Sequence, residues 1–476
     1  MTNRTKRFGG ATLGILFALL LGCLIGYTLD DKPVMAEGNA TTDHLAVFSE
    51  VLAHIQNKYV EEVDVEQLID GAVNGMIATL DPHSSYMKKE SYTELKVDTK
   101  GEFGGLGIQI SVRDHKLVVI SPIEDTPAFR EGIKAGDQIL KVDGEATQDM
   151  TVTEAVDKMR GPKGSDVTLT IVRDGEDSKP FDVVITRDII KIKSVRAKMI
   201  EPGIGYLRVT QFQERTGIEA REKLDELRKE SLQGLVLDLR NNPGGLLTAA
   251  VEVSELFLDD GKMVVYIQGR DGKRDEYYAH SADSGGDYPI VVLVNNGSAS
   301  ASEIVSGALQ DLGRAVIVGT VTFGKGSVQT ILPLSDESGL RLTTAKYYTP
   351  SGRSIQNTGI TPDIVVEYSP DKDISKERKQ ALTREKDLDG HLPNPDAGTE
   401  PDSETEPEAK PEPKPKPETK SEAPTIGEVG GTADEPALTS EEEEYLRDNQ
   451  LQEAVDLLKG WRILQGKQPL LVTAGG

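Results

Sequence analysis

The stretch PIVVLVNNGSASASEIVSGALQDLGRAVIVGTVTFGKGSVQTILPL, residues 289–334, decides how the chain is read. It opens with an unbroken apolar run, Ile290–Val294. The polar turn Asn295-Asn296-Gly297 follows, and small residues then lead into helical spacing. A short strand with no polar alternation is buried on both faces, which is the habit of parallel sheets flanked by helices. The same alternation continues outward over 200–370. Strands are expected at LRVTQF, GLVLDL, MVVYIQG and AVIVG, and helices around Thr216–Glu230, Leu246–Phe257 and Ser300–Leu312. The sequence therefore predicts an α/β domain with a largely parallel, two-sided sheet.

Within this stretch Ser298, Ser300 and Ser302 sit where a strand turns into a helix. A nucleophile there is exposed, and helix-terminal amides can stabilise an oxyanion. Serine is equally a favoured helix cap, and periodicity does not choose among the three. No GxSxG elbow is present, and no histidine lies between Pro289 and Tyr368, so a Ser-His-Asp arrangement lacks a nearby base. Lys325, between Gly324 and Gly326, is a different base. A lysine held in an apolar site has a lowered pKa and can take a proton. From spacing alone the default is an ordinary surface loop lysine.

Upstream, residues 95–176 read as a small β-rich domain. GEFGGLGIQI supplies a glycine turn whose amides could converge on an anion, and a strand that could accept an extended peptide. TVTEAVDKMRG adds a short helix with Val152, Val156 and Met159 on one face. Residues 41–92 read as helical, with one stripe of Phe48, Val51, Leu52, Ile55 and Tyr59 and a second of Leu68, Ala72, Met76 and Leu80.

The 476 residues carry 54 Lys or Arg against 79 Asp or Glu, a net charge of −25, which argues against nucleic acid as a partner. One cysteine excludes an internal disulfide framework, and six scattered histidines form no HExxH pair, so no metal or other cofactor is expected. At the N-terminus, Arg4, Lys6 and Arg7 precede an uncharged run from Ala11 to Leu29. Val34-Met35-Ala36 fits the small-residue pattern of a cleavage site. The expectation is export, through a cleaved signal or a retained anchor, with the body outside the cytoplasm. Residues 394–436 hold nine prolines and twelve acidic against four basic residues, a composition expected to be disordered. Beyond it, a helix is expected to start near Ser440, with Tyr445, Leu451, Val455, Leu458 and Trp461 near helical spacing. A helix on a long tether either docks onto the body or stands as a marginal solvated helix, and the pattern does not choose.

The ordered set LDPHSSY, the β-rich domain, LVLDLRNNPGG, GSASASEI and TFGKGSVQ resembles the C-terminal processing peptidases, also called tail-specific serine proteases. The resemblance runs from about Leu45 to Val366. The β-rich block resembles a PDZ domain. The resemblance implies a crotonase- or ClpP-like α/β protease core with an inserted PDZ domain and helical N- and C-terminal segments. It implies Ser300 as nucleophile, Lys325 as base and Gln329 as the residue orienting the lysine. On a strand, a spacing of four would place Lys325 and Gln329 on one face. Oxyanion amides would come from Ala301 and from Gly244 or Gly245. A substrate C-terminus would be held by Gly105, Leu106 and Gly107, with Leu106, Ile108 and Val156 near its last side chain and Arg160 at the helix end. Partners would be protein C-termini and, as in relatives, a second copy of the chain. The domain plan is 1–36 signal or anchor, 37–94 helical, 95–176 PDZ, 177–393 protease core, 394–436 linker and 437–476 helical. A PDZ scaffold without catalytic activity is the competing reading.

Overall fold

A computed structural model of the chain describes residues 39–113, 116–148, 150–173, 179–280, 286–369, 383–396 and 448–466. The expected signal or anchor, almost all of the linker, Ser440 and Tyr445 lie outside these residues. The chain divides into two compact units, 1–75 and 76–476. In the first, the helix Asn39–Lys58 carries most of the predicted apolar stripe, with Phe48 and Val51 exposed on it and Tyr59 exposed just past its end.

The second unit is built on a six-stranded sheet in the order Val195–Glu201, Ile204–Val209, Gly234–Asp238, Ile290–Val294, Val316–Gly319 and Ile364–Val365. Only the first pair is antiparallel. Every residue of Gly234–Asp238 and Ile290–Val294 is buried, as the absence of polar alternation requires. The helices Thr216–Lys229, Leu247–Glu255 and Ala301–Asp311 bury Leu224, Val253 and Val305 with Leu207, Leu235 and Val292 from one face.

The other face is covered by the C-terminal helix Asn449–Gly466, whose Leu451, Ala454, Val455 and Leu458 pack on Val236, Val291 and Leu293. Burying four such side chains contributes several kcal/mol. Of the two readings of this helix, docking is the one observed, and it occurs on the core sheet itself. Arg240 pins it, donating to Asp238 on the strand and to Asp448 beside the helix. Trp461, expected on the packed stripe, is instead exposed.

MVVYIQG does not belong to the parallel sheet. Met263–Gly269 pairs antiparallel with Arg274–Tyr278 and with Gly339–Tyr348 in a second sheet. The cause is local: Asp271-Gly272, with Gly272 at φ 76°, turns the chain back as a hairpin before it can cross over. Ser327–Pro333 and Ser85–Met87 pair with the same long strand.

The β-rich domain is a sheet in the order Ile108–Arg113, Lys116–Pro122, Gln138–Val142, Asp166–Val172 and Phe181–Thr186. Phe181–Thr186 lies beyond residue 176, so the domain extends further than the composition suggested. At its other end, the helix Lys89–Lys100 runs across the expected boundary at 95. Ile108–Arg113 is an edge strand, and the helix Val152–Met159 buries Ala155 and Met159 while Val152 is exposed and Val156 half-buried.

Candidate functional site

The three serines separate by burial. Ser298 is fully buried, and its hydroxyl donates to the Leu239 carbonyl at 2.8 Å. Ser302 is fully buried, and its hydroxyl donates to the Asn242 carbonyl at 2.9 Å. Both knit the turn after Ile290–Val294 to the turn after Gly234–Asp238. Ser300 alone of the three is partly exposed. Its backbone stands at φ 54° and ψ −111°, a region that costs a non-glycine residue on the order of 1–3 kcal/mol and recurs at active sites.

Glu303, not singled out in the sequence, holds that turn. It is fully buried, and its carboxylate accepts four donors. Oε2 takes the amides of Ser300 at 2.8 Å and Lys325 at 3.0 Å. Oε1 takes the Gly324 amide at 2.8 Å and the Thr322 hydroxyl at 2.5 Å. Burial pushes the carboxyl up to about 7, against the pull of these donors. Tyr347, also buried, donates from its hydroxyl to the carbonyls of Ser300 and Lys325. One carboxylate and one phenol thus bracket the backbones of Ser300 and Lys325 from opposite polarity. The Ser300-x-x-Glu303 spacing is that of a capping box and was a readable signal; Tyr347 left none.

Lys325 is half-buried. Burial lowers its pKa first and the Arg341 charge adds to this, while Glu385, Glu303 and Asp81 oppose. Among the described residues its ammonium nitrogen makes no hydrogen bond to Ser300 Oγ. Such contacts are commonly long until substrate closes the site. The expectation that Lys325 and Gln329 share a strand face fails, because the strand begins at Ser327 and carries a bulge between Val328 and Gln329. The Gln329 amide nitrogen donates to Ser327 Oγ at 3.0 Å and Thr343 Oγ1 at 3.3 Å, which leaves Oε1 without a partner among the described residues.

The two candidate glycine amides also separate. Gly244 lies against the Ser300 turn: a Cβ there would meet Ser300 Cβ at 2.9 Å and the Ala301 nitrogen at 3.0 Å. Its own amide is taken by Asn242 Oδ1 at 2.9 Å. The amides of Gly245 and Ala301 have no protein acceptor among the described residues, and Gly245 is exposed.

In the β-rich domain, Gly107 stands at φ 78° with the Thr126 side chain directly against it. The amides of Leu106 and Gly107 have no protein acceptor among the described residues, whereas the Leu106 carbonyl accepts from Ala128 and the Gly107 carbonyl from Ile123. The turn thus points amides one way and satisfied carbonyls the other. Gly105 beside it is buried. Leu106 is only 3% exposed and belongs to the domain core, so the accessible apolar surface between edge strand and helix comes from Ile108 and Val156, both half-buried. Arg160 closes its helix only through its backbone amide, which donates to the Val156 carbonyl, and its side chain does not bind the helix end. Arg187 donates to the Lys158 and Met159 carbonyls instead, and the Arg160 guanidinium lies 5.0 Å from the Phe103 ring centroid. Phe103 belongs to Glu102–Gly105, which pairs with Asp188–Lys191 where the domain joins the core.

Three family models match the chain. "Peptidase family S41" covers 203–366, "PDZ domain" 104–183 and "Activating protease CtpB N-terminal domain" 29–91. A carboxy-terminal-processing protease of Bartonella bacilliformis is 50% identical over 331 residues, 69% of this chain and 76% of that one. The carboxy-terminal processing protease CtpA of Bacillus subtilis is 35% identical over 356 residues, 74% of this chain and 76% of that one. Among solved structures, a photosystem II D1 C-terminal processing protease is 33% identical over 68% of this chain and 92% of its own, with a TM-score of 0.40.

Proposed function

The chain belongs to the carboxy-terminal processing proteases of peptidase family S41 and carries their PDZ domain, and on that premise we propose that it is an exported serine endopeptidase acting through Ser300 and Lys325. The observation that carries the reading is the shared Glu303 carboxylate, which ties the backbone of Ser300, the accessible one of the three serines, to that of Lys325.

In this mechanism neutral Lys325 accepts the Ser300 hydroxyl proton as Ser300 Oγ attacks the peptide carbonyl. The oxyanion is met by the Ala301 amide and, of the glycine pair, by Gly245, because the Gly244 amide is already engaged. Lys325 then gives its proton to the leaving amine, and water hydrolyses the acyl-enzyme. The lysine must swing onto Ser300, with Gln329 Oε1 as acceptor for its ammonium.

The PDZ domain captures the substrate's free C-terminus. The amides of Leu106 and Gly107 take the carboxylate, the edge strand Ile108–Arg113 takes the backbone, and Ile108 and Val156 contact the last side chain. The exposed stripe on Asn39–Lys58 supports a homodimer, and the basic and apolar N-terminus supports placement outside the cytoplasm, secreted or held at the membrane.

The test is cleavage of an unstructured protein with an apolar tail. Ser300→Ala and Lys325→Ala should each lose on the order of 10⁴-fold or more, and the double variant little beyond that, because the two act as a unit. An active Ser300→Ala protein would overturn the assignment. A wild-type protein that binds tails and cleaves nothing would favour the scaffold reading. The wild-type rate should also climb with pH as Lys325 loses its proton.

A further inference from the structure

LDPHSSY, so far used only for resemblance, places His83 beside a residue that the sequence did not mark. Glu385 comes from the segment 383–396, beyond the region matched by the protease family model. It is fully buried, and the His83 Nε2–H donates to both of its oxygens, at 2.8 and 2.7 Å. Glu385 Oε1 also accepts from Gln356 Nε2 at 2.9 Å, and Gln356 Oε1 accepts the Gly326 amide at 2.8 Å. The Glu385 amide donates to the Phe323 carbonyl at 3.2 Å. One residue therefore grips the loop at 323 directly and at 326 through Gln356, and Lys325 lies between the grips.

The segment is itself tied down on both sides of the site. Arg384 donates to the Thr358 carbonyl, Asn357 to the Leu392 carbonyl and Lys346 to the Pro393 carbonyl. His83 is held in turn by Asp81, which accepts its amide, and by Arg341, which donates to its carbonyl.

We propose that Glu385, held by His83, is a positioning residue for the lysine base: it clamps the Lys325 loop and supplies a fixed negative charge beside the ammonium that forms when Lys325 takes the serine proton. This rests on Lys325 being the base. Four charged groups act electrostatically on Lys325: Arg341 on the long strand, Glu303 on the helix after Ser300, Asp81 in LDPHSSY and Glu385. Glu303 and Asp81 are each saturated by uncharged donors from the turns they hold. Glu385 is the one brought by a separate segment, and a buried charge of this kind stabilises an ammonium far more than an exposed one does.

The test uses the full chain and an unstructured protein substrate, reading kcat and KM across pH. Glu385→Gln keeps an oxygen able to accept from His83 and Gln356 but removes the charge. Its kcat profile should rise at lower pH than wild type, because the ammonium loses a favourable neighbour, while KM stays. Glu385→Ala and His83→Ala also release the clamp and should lower kcat on the order of 10²-fold with little change in KM. A Glu385→Gln profile superimposed on wild type overturns the proposal, as does an undiminished kcat in Glu385→Ala. If the alanine variant does not fold, the glutamine profile alone decides. An active Lys325→Ala protein sinks the base assignment itself, whereas an inactive one beside a wild-type Glu385→Gln profile sinks only this inference.

Discussion

Two turns in this molecule present free amides, and they do so under opposite constraints. The turn at Leu106–Gly107 reaches positive φ with a glycine, at no steric cost, and its function needs only backbone. The turn at Ser300–Ala301 reaches positive φ with a serine, the residue proposed above to supply the nucleophilic hydroxyl. The first turn is held by two backbone hydrogen bonds and the Thr126 hydroxyl. The second needs a buried carboxylate with four donors and a buried phenol. Where backbone alone does the work, glycine suffices. Where a side chain must occupy a strained position, the surroundings have to over-determine it.

The sharpest break of this comparison is Glu303→Gln. The carboxylate offers two accepting oxygens, each used twice, and glutamine offers one. Whichever way the amide turns, two donors face an NH₂ group. If Oε2 is lost, Ser300 and Lys325 no longer share an acceptor. Cleavage should fall on the order of 10²–10³-fold, while tail binding by the PDZ domain stays as in wild type. Cleavage within a fewfold of wild type would mean the strained turn holds itself.

The matching change in the other turn is Gly107→Ala. A Cβ there would meet the Thr126 side chain at 2.3–2.5 Å, at a φ that alanine resists. Tail affinity should fall at least about tenfold, measured by titrating an apolar-tailed peptide into the Ser300→Ala protein. Amidating the peptide's terminus should weaken binding to wild-type Gly107 to a similar degree. If neither change matters, the groove does not read carboxylates, and specificity belongs to the protease core.

How much of each turn was legible follows from the same contrast. A glycine turn before an alternating strand is a backbone event, and backbone conformation writes itself into residue type. The parallel strands were legible for the same reason, through their missing polar positions. The serine was not legible by pattern. Ser298, Ser300 and Ser302 alternate, and what separates them is contact with Leu239 and Asn242 about sixty residues upstream. The shared strand face of Lys325 and Gln329 was misread because a bulge has no sequence signature, and MVVYIQG because its hairpin turn was passed over. Glu385 was invisible: an ordinary charged residue in a polar stretch, buried in the fold and bonded there to His83 and Gln356, which are distant in sequence.

A smaller effect tests the strain itself. Ser300→Gly removes the hydroxyl and with it the activity, but also the Cβ that positive φ disfavours. Against the greater flexibility of an unfolded glycine, the net gain should be about 1 kcal/mol, seen as a raised midpoint in denaturant. Ser300→Ala keeps the strain and should unfold near the wild-type midpoint. Equal midpoints for the two variants would show that the turn is relaxed and that the contrast with Gly107 is one of appearance.

The smallest effect concerns the lysine. Its folded pKa lies below that of the unfolded chain, chiefly through burial and then through Arg341. Between the two values the unfolded chain binds more protons, so stability rises with pH across that window and falls as pH drops through it. At neutral pH the folded protein therefore holds Lys325 at a cost. Lys325→Met keeps the volume and removes the titration. The variant should be inactive yet melt slightly higher than wild type near pH 7, and the difference should shrink as pH approaches 10.5, where the unfolded lysine also loses its proton. A wild-type protein that matches the variant across this range would mean that Lys325 is not desolvated in the resting enzyme, and that whatever makes it a base arrives only with substrate.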